Sequence, residues 1–315
     1  MSTQKVAWLF PGQGSQYVGM GRKLFAQCPR SNHMIEMASD MLGTDLKQLC
    51  LRGPDAELRQ TLYLQPALLT LSMACSAYLQ DHGYYPDSVA GHSVGEYAAL
   101  ETAGVIGWEE ALGLVIERAR LMQSCAQQQD GTMAAVKHLQ AEQIYRVLDT
   151  LPGNGTVIAN LNAPSQSVVS GSSDDVAKAV QSLTEKGAEC VMLNVSGAWH
   201  SPLMMTATTK FSDYLDRVEF KAPKIPVAMN VTGDLSRDPM IIKKYMRQQL
   251  GHSVYWSKSI VRLSQEGCSH YVEVGPGKTL RGLLRRILEQ DSYTAVNFEE
   301  PRMLKFVAER EFQEG

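Results

Sequence analysis

Apolar residues in this chain follow two rhythms. Short continuous runs alternate with longer stretches of helical spacing. Val6-Ala7-Trp8-Leu9-Phe10 is apolar throughout and stops at Pro11-Gly12, the pattern of a strand buried on both faces. Helical spacing follows over 34–42, 65–82, 94–103 and 108–127. Ser88-Val89-Ala90 is a short β-prone run, and β-branched runs return over 226–231 and 270–274. Strands that alternate with helices predict an α/β domain with a mostly parallel sheet.

Between about residues 131 and 194 the rhythm shortens. Strands are expected over 132–137, 156–160, 166–170 and 189–194, and helices over 141–151 and 174–187. Pro152-Gly153-Asn154-Gly155 and Asn162-Ala163-Pro164 mark turns. The order βαββαβ is that of a ferredoxin-like unit. The expected organisation is a large α/β domain built from residues 1–130 and 197–315, interrupted by a small ferredoxin-like α+β domain at 131–196.

Composition narrows the function. The chain has 315 residues, 44% hydrophobic and 20% charged, with a net charge of −3. That suits a globular protein and, with no Lys/Arg run, argues against nucleic-acid binding. No apolar run approaches the ~18 residues that span a bilayer. Met1-Ser2-Thr3-Gln4-Lys5-Val6 leads into the first strand without a signal-peptide core, so a cytoplasmic location away from membranes is expected. The six cysteines, Cys28, Cys50, Cys75, Cys125, Cys190 and Cys268, form no C-x-x-C pair, and the Cys268/His270 pair lacks further ligands. Reduced thiols and no metal site are expected.

The densest chemical signal is Gly91-His92-Ser93-Val94-Gly95-Glu96. G-x-S-x-G is the form of a nucleophile elbow, in which a strand turns sharply into a helix and leaves the serine Oγ exposed. Alone the pattern also occurs in ordinary turns. Here a β-prone run precedes it and helix formers follow, so Ser93 is the candidate nucleophile. The helix N-terminus behind it would favour an anion.

A serine nucleophile needs a base. Of seven histidines, His33, His82 and His138 lie in polar surface contexts, and His252 and His270 are not assigned. His92 adjoins the serine but should project away from its Oγ, so a structural place is expected. His200, in Gly197-Ala198-Trp199-His200-Ser201-Pro202, follows the last strand of the inserted unit. That loop would lie at the mouth between domains, where clefts form.

The turn Phe10-Pro11-Gly12-Gln13-Gly14-Ser15-Gln16 lacks the G-K-[ST] ending and G-x-G-x-x-G spacing of phosphate loops. It reads either as a plain tight turn or as the source of an oxyanion-binding N–H. Glu117-Arg118-Ala119-Arg120 puts two arginines in mid-helix. Such residues usually form solvated pairs; a buried one would need an anion, and a carboxylate suits its planar fork.

Taken together, these motifs resemble the malonyl-CoA:acyl carrier protein transacylase family, which includes the free-standing acyltransferases of fatty acid and polyketide synthases. The resemblance runs nearly end to end. It takes in 10–16, Gln65-Pro66-Ala67-Leu68, 91–96, Arg118 with Met122-Gln123, 162–171, His200-Ser201-Pro202 and Glu273-Val274-Gly275-Pro276-Gly277-Lys278. It implies an α/β-hydrolase-like large domain with the ferredoxin-like insertion.

The resemblance also implies roles. Ser93 takes the acyl group from CoA. His200 is the base, oriented by a main-chain carbonyl. The N–H groups of Gln13 and Val94 hold the oxyanion. Arg118 grips the free carboxylate, and Gln65 and Trp199 border the acyl group. The partners would be malonyl-CoA and a phosphopantetheinylated acyl carrier protein, for which Arg281, Arg285 and Arg286 offer a basic face. No cofactor is implied beyond the CoA thioester substrate, and a monomer is expected.

The alternative is an editing hydrolase that releases acyl groups from acyl carrier protein; relatives of that kind often lack the arginine. Two positions depart from the family pattern. Trp199 stands where Ser or Phe is common, which leaves the acyl unit open. Tyr255, in Ser253-Val254-Tyr255-Trp256 near the expected histidine-orienting segment, stands where Gln or Arg is common.

Overall fold

The computed structural model of the protein describes residues 5–153 and 155–311. Met1–Gln4 and Asn154, which enter the sequence reading above, lie outside the described residues. Ten strands among the described residues form two sheets. They are β1 (Lys5–Phe10), β2 (Ser88–Gly91), β3 (Thr132–Lys137), β4 (Val157–Ala163), β5 (Gln166–Gly171), β6 (Glu189–Met192), β7 (Val227–Ala228), β8 (Leu235–Ser236), β9 (Cys268–Val274) and β10 (Thr294–Phe298).

The large sheet has the order β10-β9-β1-β2-β7-β8. It is parallel from β10 to β7, and β8 returns antiparallel to β7. The central strand β1 is the apolar run read from the sequence, and Ala7, Trp8, Leu9 and Phe10 are each at most 1% exposed. Helices cover both faces, as a parallel sheet requires.

The strand expected at 226–231 is shorter, Val227–Ala228. Beyond it the chain folds back, with Met229 N–H donating to the Asp234 carbonyl at 2.9 Å. Asn230 leaves the ladder and turns its side chain toward the elbow.

The second sheet has the order β4-β5-β3-β6, antiparallel throughout. With the helices Ala141–Thr150 and Ser173–Glu185, this is the ferredoxin-like topology. Its own core joins Val136, Ile144, Ile158, Val169, Val176 and Leu183. β4 is tied to the segment just before the helix Trp256–Gln265. Val254 N–H donates to the Ala159 carbonyl at 2.8 Å, and Leu161 N–H donates back to Val254 at 2.9 Å.

The helix Thr61–Asp81 has 21 residues and is apolar enough to cross a membrane by length and composition. It is a core helix here: 83% of its apolar window is buried. Apolar all round, it packs between neighbouring helices, which is why it shows no polar face.

Candidate active site

Ser93 sits at the tight turn between β2 and the elbow helix Gly95–Thr102. The flanking glycines make the turn possible. A Cβ on Gly91 would lie 2.0 Å from the Gly95 main chain, and one on Gly95 would lie 2.2 Å from the Phe10 carbonyl. No other side chain fits at either position. Ser93 itself has φ 52°, and His200 has φ 58°. Left-handed backbone at non-glycine residues is costly and concentrates at functional sites.

Asn230 clamps the elbow from the end of β7. Its Oδ1 accepts from Ser93 N–H at 2.8 Å, and its Nδ2 donates to the Gly91 carbonyl at 2.7 Å. The serine Oγ lies 2.8 Å from His200 Nε2.

The histidine's other nitrogen, Nδ1, faces two main-chain carbonyls, Gln249 at 2.9 Å and His252 at 3.1 Å. Carbonyls only accept, so Nδ1 carries the proton and Nε2 presents its lone pair to the serine hydroxyl. His200 is 4% exposed. Burial first, and then the nearby Arg118 charge, push it down to about 3. It is neutral at physiological pH.

The carbonyls on Nδ1 come from Gln249 and His252, just ahead of the 253–256 segment. Tyr255 lies behind the site instead, its N–H donating to the Asn230 carbonyl at 2.8 Å.

Of the two arginines in the helix Trp108–Gln128, the structure separates one. Arg120 is exposed and pairs with Glu117. Arg118 is fully buried. Its Nη1 donates to Gln65 Oε1 at 2.6 Å, its Nε to Gln249 Oε1 at 3.2 Å, and its Nη2 to Ser93 Oγ at 3.1 Å. All three acceptors are neutral, and among the described residues no carboxylate forms an ion pair with it. Burial holds its pKa below the usual arginine value, opposed by Tyr97 and Glu96. A guanidinium held this way has the geometry to take up a carboxylate.

Gln65 is fully buried on the core helix and also donates from Nε2 to Gln13 Oε1 at 3.3 Å. That contact brings the glycine-rich turn after β1 to the site. The main-chain N–H groups of Gln13 and Val94 meet no acceptor among the described residues. Gln13 lines a cleft of about 560 Å³ with Gln60, Leu64, Gln123, Leu193 and Val195. Its walls come from the large domain and from the segment just after β6.

Trp199 lies beside His200 but is buried, at 4% exposure. Its benzo edge packs by Gly197 and Ala126: a Cβ on Gly197 would meet the ring at 2.7 Å. The indole Nε1 has no hydrogen-bond partner among the described residues. His92 turns away from the serine, with Nε2 2.8 Å from Asn162 Oδ1 on β4. His33, His82, His138 and the His252 side chain are exposed. Arg285 and Arg286 lie exposed on the helix Thr279–Ile287.

Sequence reasoning missed three residues of this network. Gln249 ends an amphipathic helix and Asn230 follows a strand, and neither has a local motif. Glu96 was read only as a helix former, although a carboxylate directly after an elbow, on a helix that must be buried, was a signal to follow.

Comparison with known proteins agrees with this geometry. Residues 7–305 match the acyl transferase domain family. The malonyl CoA-acyl carrier protein transacylase of Bacillus subtilis strain 168 is 39% identical over 286 residues, 90% of each chain. The polyketide biosynthesis malonyl CoA-acyl carrier protein transacylase PksC of the same strain is 40% identical, covering 90% of this chain and 96% of that protein. Among solved structures, an acyl carrier protein S-malonyltransferase from Vibrio cholerae superposes with TM-score 0.91 at 38% identity, covering 96% of this chain and 99% of the other. A malonyl-transacylase solved in complex with a type II polyketide synthase acyl carrier protein gives TM-score 0.92 at 34% identity, covering 97% and 99%. With a nucleophile elbow, a facing histidine and a buried arginine on the matching fold, this chain belongs to the malonyl-CoA:acyl carrier protein transacylase family.

Proposed function

We propose that this protein moves a malonyl group from CoA, by way of an ester on Ser93, to the phosphopantetheine thiol of an acyl carrier protein. The observation that carries the reading is Arg118: a fully buried guanidinium, in ion-pair contact with no carboxylate among the described residues, that reaches the Oγ of the serine. A thioester held there presents its free carboxylate to the arginine and its carbonyl carbon to the serine.

The steps follow from the geometry. Arg118 donates to Ser93 Oγ, which leaves the hydroxyl proton free to point at His200 Nε2. As Oγ attacks the thioester carbonyl, that proton passes to Nε2, and the imidazolium is steadied by the carbonyls on Nδ1. The carbonyl oxygen becomes an oxyanion facing the N–H groups of Gln13 and Val94. The C–S bond then breaks, and His200 returns the proton to the departing CoA sulfur. In the second half, the phosphopantetheine thiol gives its proton to His200, attacks the acyl-serine and releases Ser93 Oγ, which takes the proton back.

The roles of Gln65 and Trp199 belong to the same proposal. Gln65 holds the arginine fork and ties it to the Gln13 turn, and Trp199 walls the histidine side. We take 1–130 with 197–315 as the large domain and 131–196 as its insertion, in keeping with the two separate sheets. We also read the enzyme as a monomer of the cytoplasm, acting away from membranes and nucleic acid. Six free cysteines, five of them buried, suit a reducing compartment.

Intact-protein mass spectrometry tests the proposal. Wild type and Ser93→Ala are incubated briefly with malonyl-CoA, acetyl-CoA or methylmalonyl-CoA, and holo acyl carrier protein is then added. A malonyl adduct on wild type alone, passed on to the carrier, is expected. No adduct from any donor, with free acid released from acyl-carrier protein, would replace transfer with hydrolysis.

A further inference from the structure

We propose that Glu96 is a positioning residue for acyl transfer: its carboxylate fixes the orientation of the Gln249 amide, and through that amide holds Ser93, Arg118 and His200 in register. The inference rests on the acyl-transfer reading above and adds a residue to it.

Glu96 lies on the elbow helix, fully buried, and does not face the cleft. Its Oε1 accepts from Asn230 N–H at 2.8 Å, and its Oε2 accepts from Gln249 Nε2 at 2.6 Å. Gln249 is the junction of the site. The same Nε2 donates to the Ser93 carbonyl at 2.9 Å, Oε1 accepts from Arg118 Nε, and the main-chain carbonyl accepts from His200 Nδ1. One residue therefore touches the nucleophile's backbone, the arginine and the base.

An amide has two orientations, and only one satisfies this set. Turned over, its NH₂ would face the guanidinium and its oxygen would face both the Ser93 carbonyl and the Glu96 carboxylate. Glu96 supplies the charged acceptor that fixes the choice.

The carboxylate must also be ionised to do so. Asn230 N–H and Gln249 Nε2 are both donors, so a carboxyl proton on either oxygen would have no acceptor. The charged or titratable groups around Glu96 are Arg118, from the helix Trp108–Gln128, and Tyr97, next to it on its own helix. Asn230 and Gln249 face it with neutral groups. Burial raises Glu96 to about 7, against the two hydrogen bonds and Arg118, which favour the charged form. Ionisation is therefore lost as pH falls through neutrality. His200, held near 3, does not titrate in that range.

The test is the rapid-quench rate of malonyl loading onto Ser93 from malonyl-CoA, across about pH 5 to 8, in wild type and Glu96→Gln. This half-reaction leaves out the carrier thiol and its own titration. Wild type is expected to slow below about pH 7, approaching tenfold per pH unit. Glu96→Gln sets a donor against either Asn230 N–H or Gln249 Nε2 in each of its orientations. It is expected to load up to about 100-fold more slowly, with no slope near neutrality.

Loading at the wild-type rate, or the same acid limb in Glu96→Gln, would overturn the inference. If Glu96→Gln does not fold, Gln249→Met takes its place; it removes the amide but keeps the carbonyl that meets His200. Loss of the limb supports the role of Glu96, and its survival overturns it. Wild type that loads no malonyl at all would bring down the transfer reading together with this one.

Discussion

Arg118 Nη1 donates to Gln65 Oε1 at 2.6 Å, inside a core from which water is excluded. The pair shows how the site waits for its substrate. The guanidinium is held directly by amide and hydroxyl oxygens, while the Glu96 carboxylate acts on its charge without forming an ion pair. In the proposed transfer, a malonyl carboxylate would pair with the guanidinium directly.

Removing the arginine should therefore cost the carboxylate and spare the thioester. Arg118→Ala is expected to lose about 10- to 100-fold in preference for malonyl-CoA over acetyl-CoA, the worth of a charged buried contact of about 1.5–3 kcal/mol. Competition between the two donors measures it. The same substitution removes a charge that lowers His200, so the histidine should titrate at higher pH in the variant, followed by NMR of its ring protons. Unchanged donor preference would take Arg118 out of the acyl pocket.

His200 also links stability to pH. Its value falls from 6.5 to about 3 on folding. Between those values the unfolded chain binds a proton that the folded chain refuses. Its contribution to stability is thus present above pH 6.5 and lost as pH falls toward 3. The denaturation midpoint of His200→Gln is expected to drop less than that of wild type between about pH 6.5 and 4. Parallel acid curves would mean that the imidazole takes up a proton in the folded state.

Two glycine substitutions separate geometry from composition. Gly95→Ala would press a methyl group 2.2 Å from the Phe10 carbonyl. It is expected to destabilise by about 3 kcal/mol or more, since backbone cannot yield there. Gly113, in the helix Trp108–Gln128, has nothing within 4 Å of its added Cβ. Gly113→Ala is expected to stabilise by about 0.5–1 kcal/mol. Thermal denaturation of both variants decides; a neutral Gly95→Ala would contradict the close approach of elbow helix and β1.

Trp199, a buried side chain next to His200, tests whether core packing sets the proposed acyl specificity. Trp199→Ser empties a large buried volume, with an expected cost of about 3–5 kcal/mol. Trp199→Phe keeps most of the packing and gives room beside His200. Its ratio of methylmalonyl to malonyl loading is expected to rise about tenfold. A ratio equal to wild type would mean that the indole, turned toward Gly197 and Ala126, does not limit the α-carbon.

The parts of this architecture that were legible in the sequence share a local cause. β1 is an unbroken apolar run, the elbow is a six-residue motif, and the inserted unit keeps its strand and helix order within about two residues at most ends. Arg118 and Arg120 could not be told apart by spacing, because they point to different sides of one helix and only the fold shows which side is buried. Gln249 left no trace at all. Its side chain bonds to residues 153 and 156 positions earlier, and no local pattern encodes a contact of that span. The same holds for Asn230, which reads as the end of a strand and acts as the clamp of an elbow 137 positions away.

The separation between Ser93 and His200 is 107 residues, and the whole inserted unit is threaded between them. The carbonyls that set the histidine's tautomer come later still, at Gln249 and His252. The elbow's own clamp, Asn230, and these carbonyls all lie in the last third of the polypeptide, so the serine is expected to stay an ordinary alcohol until that part has folded back over it. A chain that ends before Gln249 lacks the carbonyls that set the histidine's tautomer and is expected not to consume CoA thioesters. A covalent serine-directed probe, applied during synthesis, would register finished molecules only.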